Sequence, residues 1–174
     1  RGAARSPVSM SAAKHSVPTV TGLGPTSSGR TMDKNAALAI AAEAGDDIAS
    51  RLEFLYELDQ LKTVLRQSML ADGSRQENSA EHSWHLAMTA MTLAPLADEP
   101  IDVERAIKIL LVHDIVEIDA GDVFIYDDAQ RAAAEAAEQE AADRIFGLLP
   151  AEQGAEFRAL WDEYEDRSTP EGRF

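Results

Sequence analysis

At 174 residues and 45% hydrophobic content, the chain can bury one core of ordinary size, so one domain is the default. The 31 acidic against 16 basic residues leave a formal charge of -15, which argues against a nucleic-acid polymer as partner because such contacts need a basic surface. The sequence holds no cysteine, excluding a disulfide scaffold and a thiolate zinc site, and no run of about 18 apolar residues that would suit a membrane span. A basic-then-apolar leader is not legible, and the cytoplasm is the expected compartment. A small anionic substrate stays compatible with the charge, since a divalent cation and an arginine reverse the potential inside an acidic pocket.

Residues 1–31 are rich in Ser, Thr, Pro and Gly and are expected as a disordered tail or expression remnant, with His15 exposed and 32–174 forming the domain. Helix formers run from Asp33 to Ala44 and stop at Gly45-Asp46-Asp47. Leu52, Leu55, Tyr56, Leu58, Leu61, Leu65 and Met69 then recur at three- and four-residue steps, which predicts one long helix over 48–70. Ala71-Asp72-Gly73-Ser74 reads as a turn. Asn78 or Ser79 caps a helix from about Ala80 to Leu96, frayed at its end by Pro95. Asp102 caps a strongly apolar helix that runs through Ala106, Ile109 and Val112 and carries His113-Asp114 into the core. Residues 120–127 read as a loop and 128–147 as an alanine-rich helix ended by Gly147 and Pro150. A last helix over 151–165 turns Phe157, Leu160, Trp161 and Tyr164 inward. Strand signals are almost absent, so the expected fold class is all-α.

Four histidines and no cysteine mean that a metal site must be built from His, Asp and Glu. His82, at a helix start in Glu81-His82-Ser83, is either a ligand or a histidine making an ordinary hydrogen bond. His85 lies three residues on and ranks below it. His113-Asp114 ends an apolar run, where an ionised carboxylate needs a partner; the alternative is a helix-end Asp beside a stray His. Glu117 follows His113 by one helical turn, and Asp122 follows Gly121, which permits a tight bend. Either carboxylate can manage a proton or a water, or stand simply solvated in an acidic protein. Arg66, near the end of the predicted long helix, suits a phosphate clamp, although surface arginines are common. One of Glu138 and Glu140 could face the cleft, although a solvated helix face explains the group; Phe124 or Tyr126 could cover a nucleoside or serve simply as a hydrophobic lid anchor; Trp84 and Trp161 read as packing residues.

Taken together and in order, these segments carry a familiar pattern: Leu61-Lys62 with Arg66, Glu81-His82-Ser83, Leu111-Val112-His113-Asp114 with Glu117, Gly121-Asp122, Leu148-Leu149-Pro150, and Leu160-Trp161-Asp162-Glu163-Tyr164-Glu165. From about Leu52 to Phe174 the chain resembles the HD-domain metal-dependent phosphohydrolases, in their 5'-deoxynucleotidase branch. The resemblance implies a compact helical HD-domain fold binding one divalent metal through His82, His113 and Asp114. A further aspartate would come from a later helix, expected beyond Phe174, so that the domain lacks its last C-terminal helix. It implies removal of the 5'-phosphate from deoxyribonucleoside monophosphates, with Glu117 as the catalytic glutamate, Asp122 near the phosphate and sugar, and Arg66 on the phosphate. It also implies a homodimer; separately, the apolar positions on 48–70 and 151–165 exceed what one small core needs, and Trp161 and Tyr164 are the expected interface anchors. The chain departs from the branch at Gln67, where a tryptophan is frequent, and at Ala120, where a threonine is common. Mn, Co, Fe, Ni and Zn all suit such a donor set. The competing functions are an HD hydrolase of another small phosphate ester and a non-catalytic metal- or nucleotide-binding module.

Overall fold

Residues 33–122 and 128–174 are described by a computed structural model; the expected tail and the aromatic pair Phe124 and Tyr126 lie outside the described residues. Two helices, α1 (Lys34–Ala44) and α2 (Asp46–Leu58), are separated by Gly45 and pack on each other. The helix predicted to continue to residue 70 ends at Leu58 in a 3-10 turn, Asp59–Thr63, and the chain then becomes extended. Leu65–Met69 forms β1, antiparallel to β2 (Gln76–Asn78), with Leu65 opposite Asn78 and Met69 opposite Gln76. The periodicity misled for a definite reason: residues four apart share a face in a helix and also in a strand. Leu65 and Met69 therefore satisfied the helical pattern, yet both are exposed on the hairpin. The hairpin is closed by Leu70 N–H to Arg75 O (2.9 Å) and Ser74 N–H to Asp72 Oδ1 (2.9 Å).

Helix α3 (Ser79–Leu93) begins where expected, because Asn78 accepts from Glu81 N–H while Glu81 accepts from Asn78 N–H. Pro95 falls in a 3-10 turn, Ala94–Leu96, that ends this segment. The buried face of α3 is made of Ser79, Ser83, Ala87 and Ala90. These small side chains allow a close approach to α4 (Val103–Val112), capped by Asp102 through Arg105 N–H. A tight turn over 113–116 leads into the short helix α5 (Glu117–Ala120). Then come α6 (Asp128–Phe146), α7 (Ala151–Asp166) and α8 (Pro170–Arg173).

The core gathers Phe54 of α2, Ile109 and Val112 of α4, Ala142, Ile145 and Phe146 of α6, and Leu160 and Trp161 of α7. Burying each large side chain contributes about 1.5–3 kcal/mol. Gly154 makes the α6–α7 approach possible, since a Cβ there would come within 2.5 Å of Phe146 O. Arg105 ties α4 to α7 by donating to both carboxylate oxygens of the buried Glu163, and these bonds hold that carboxyl below its ordinary pKa. The described residues are helical apart from the two short strands, so the fold class is all-α. No described helix is long and apolar enough to cross a membrane.

Trp161 is 1% exposed within its own chain, and the Tyr164 ring packs 4.7 Å from that of His113. Trp161, expected as an interface anchor from the apolar pattern of 151–165, is consumed by its own core, while Tyr164 is half-buried against the site. Trp84, expected to pack, is instead 61% exposed.

Candidate metal centre

The α3 capping box does more than start a helix. It sets Ser79 in the first turn and His82 one turn further in, beside the end of the hairpin. His82 Nδ1 lies 3.0 Å from Oε2 of the buried Glu77 on β2, so the proton belongs on Nδ1 and Nε2 keeps its lone pair. His113 is pinned in the same sense, with Nδ1 2.7 Å from Leu110 O, a group that only accepts. Its Nε2 lies 2.9 Å from Asp114 Oδ1.

His113 and Asp114 occupy the turn in which α4 ends, and both are buried. Glu117, expected one helical turn after His113, instead opens a new short helix after a turn. Ile115 N–H bonds Val112 O and Glu117 N–H bonds Asp114 O, three-residue closures that tighten the chain and bring Glu117 to the side of Asp114. Arg66 arrives from β1, not from a helix: its Nη1 is 2.6 Å from Asp114 Oδ2 and 3.4 Å from Glu117 Oε1. Ser79 Oγ, wholly buried, donates to Glu117 Oε2 at 2.6 Å. Asp122 follows Gly121, whose φ of 74° ends α5 in a conformation that glycine adopts without cost. Asp122 Oδ2 accepts the backbone N–H of Gln67 at 2.9 Å, fastening the residue that follows α5 and Gly121 to the strand that carries Arg66.

One ligand atom each from His82, His113 and Asp114 lie within 4.8 Å of one another, the only such group among the described residues. Two imidazoles with outward lone pairs and one carboxylate fit a borderline divalent cation. The electrostatics agree: Arg66 is bonded to Asp114 and Glu117, while Glu77 is bonded to His82 and Asp122 to the backbone N–H of Gln67, so carboxylates outnumber the one guanidinium among these residues. Burial, helped by the Arg66 charge, lowers the His82 pKa and favours the neutral, ligating form. Burial and then the Asp114 carboxylate raise Glu117 to about 7, against weaker pulls from Ser79 and Arg66. A carboxyl poised at neutrality can either give or take a proton.

All six residues singled out from the sequence thus converge: the three candidate ligands as one cluster, Arg66 and Glu117 bonded to it, and Asp122 at its edge through Gln67. His85 does not join them; it is exposed and stacks near Trp84. Glu140 is exposed, and Glu138 lines an α6–α7 cleft with Glu135, Trp161 and Glu165. Glu77 and Ser79 were missed as site residues. Ser79 was legible as a possible cap, and an acid one residue before a capping box is a usable signal for Glu77, but only the hairpin brings it back onto His82.

A family model described as "HD domain" matches residues 58–174. The human 5'-deoxynucleotidase HDDC2 is 31% identical over 140 residues, covering 80% of this chain and 67% of that protein. The 5'-deoxynucleotidase hdd1 of Schizosaccharomyces pombe is 32% identical over 131 residues, covering 72% and 64%. A crystal structure described as a predicted metal-dependent phosphohydrolase from Magnetospirillum magnetotacticum is 53% identical, with a TM-score of 0.67 over 74% of this chain and 65% of that one. The chain therefore spans about two thirds of the length of these relatives. Since the family match takes in every residue of the cluster as well as Arg66, Glu117 and Asp122, the chain belongs to the HD-domain family, on the branch of the 5'-deoxynucleotidases.

Proposed function

We propose that the domain over 32–174 removes the 5'-phosphate from deoxyribonucleoside monophosphates, using one divalent metal ion held by His82, His113 and Asp114. The observation that carries this reading is the convergence of three candidate ligands with Arg66 and a carboxyl, Glu117, titrating near neutrality. The metal, when bound, supplies Lewis-acid polarisation of a phosphoryl oxygen and a more acidic water. Arg66 offers a planar guanidinium to the equatorial phosphoryl oxygens, where charge accumulates as the bond breaks. Glu117, held in direction by Ser79, gives a proton to the departing 5'-oxygen. Asp122 orients the sugar or the water from the edge of the site, its carboxylate steadied by Gln67 N–H.

Arg66 is the one basic side chain bonded to the site carboxylates among the described residues, which favours a single phosphate over a di- or triphosphate. The names of the relatives, 5'-deoxynucleotidases, support the same substrate class. A nucleotide substrate in turn favours a cytoplasmic location. A homodimer is the assembly we favour, and the exposed stripe Trp84, Met88 and Met91 on α3 offers it an apolar face. Light scattering giving a monomer mass at micromolar concentration removes that part. The substrate is tested by inorganic phosphate release from a nucleotide panel with Mn²⁺ or Co²⁺. Equal or greater release from sugar phosphates, dinucleotides or triphosphates rejects the proposed class.

A further inference from the structure

Glu77 takes no part in the chemistry above, yet it is 9% exposed, and a buried carboxylate is strongly disfavoured unless its lone pairs are filled. Its Oε2 is filled by His82 Nδ1 at 3.0 Å and Ser68 Oγ at 3.4 Å. The geometry points to Glu77 as the positioning residue that fixes which nitrogen of His82 faces a cation. An imidazole free in water prefers its proton on Nε2, the nitrogen that has to be bare for ligation here. Accepting from Nδ1 holds the proton there, fixes the ring about its last torsion, and makes Nε2 a stronger donor.

The two imidazoles of the cluster are thus set by different devices. His113 is oriented by Leu110 O, a carbonyl of its own helix that folds with it. His82 is oriented by a side chain on the hairpin, whose other strand carries Arg66. Seating the hairpin therefore brings in the phosphate-facing guanidinium and completes the ligand in one event. This inference rests on the proposed metal centre but not on the proposed substrate.

The test uses the whole 174-residue chain with isotope-labelled histidine, first free of metal. Proton–nitrogen correlation NMR should find His82 and His113 both protonated on Nδ1 in the wild type. In Glu77→Leu, of similar volume but without an acceptor, His82 should move its proton to Nε2 in a large fraction of molecules. His113 should not change, which serves as the internal control that the helices are intact. Calorimetric titration with Co²⁺ should show binding weakened roughly 10- to 100-fold. If Glu77→Leu fails to fold by circular dichroism, Glu77→Ala takes its place with the same two readings. Retention of the Nδ1 proton on His82, or Co²⁺ affinity within about twofold of wild type in a folded variant, overturns the assignment. A wild type that binds Co²⁺ but releases no phosphate from deoxynucleotides refutes the substrate alone, and the NMR and titration results then still support Glu77. A wild type that binds no Co²⁺ refutes both.

Discussion

Replacing Glu117 by Gln keeps the length of the side chain and one acceptor while removing its titration. At the ordinary carboxyl value of 4.5, about one molecule in three hundred would carry the proton at pH 7; at about 7, half of them do. Burial beside Asp114 thus raises the supply of the acid form by about two orders of magnitude, comparable to the roughly 10²-fold that a positioned general acid contributes. With Mn²⁺ or Co²⁺ and a deoxynucleoside monophosphate, the turnover of Glu117→Gln should fall by roughly 10²-fold or more. Metal content should stay near wild type, because the three candidate ligands are untouched. The pH profile supplies a second reading. Wild-type turnover should decline as pH rises through the Glu117 pKa and the proton is lost, and the variant should lack that limb. A bound cation favours the carboxylate and moves the limb to lower pH without changing its direction. Phosphate release measured across neutrality, alongside metal analysis, decides the matter. Near-normal release by the variant, or the same alkaline limb in both proteins, refutes the reasoning.

The same carboxyl predicts the stability of the metal-free protein: its folded pKa is raised, so its contribution is whole below about 4.5 and is lost as pH rises through about 7, by about 3 kcal/mol. Urea unfolding at about pH 5 and pH 8 should show most of this loss in wild type and not in Glu117→Gln; the same loss of unfolding free energy between the two pH values in both proteins would contradict it. Arg66→Ala should lower kcat/KM by roughly 10²- to 10³-fold, and Arg66→Lys should recover little of it, because an ammonium lacks the planar fork; full recovery by lysine would argue against bidentate contact. Gly154→Ala drives a methyl to 2.5 Å from Phe146 O and should cost about 1–3 kcal/mol, read as a lower urea midpoint; an unchanged midpoint would mean that α6 and α7 separate freely.

The reach of sequence patterning differs from segment to segment. Where a helix start is signalled by side chains bonding their own backbone, the boundary was readable to within a residue: Asn78 with Glu81 for α3, and Asp102 for α4. Such bonds span three residues and need nothing from the rest of the molecule. The segment 59–70 was misread as helix because its evidence was periodicity alone, and Leu65 and Met69 fit both periods, whereas 71–74 is the turn its residues predicted. What decides for a strand is the pairing of Leu65 with Asn78 and of Val64 O with Ser79 N–H, contacts that exist only once the chain has doubled back. Trp161 and Tyr164 show a related ambiguity: an apolar helical face has the same pattern whether it meets its own core or a second copy.

By itself the sequence determined that this chain is helical, that its chemistry has to rest on His, Asp and Glu in the absence of cysteine, and that His82, His113-Asp114, Arg66, Glu117 and Asp122 are the residues to watch. Helix periodicity, caps and donor chemistry are properties of short stretches and of side-chain types, so they survive without coordinates. Only the tertiary structure decided that Arg66 reaches Asp114 from a strand, that Ser79 holds Glu117, and that Glu77 sets the face of His82. Each of these joins residues through space by way of a hairpin or a helix packing. A hydrogen bond of about 3 Å depends on direction and separation, which no one-dimensional spacing encodes.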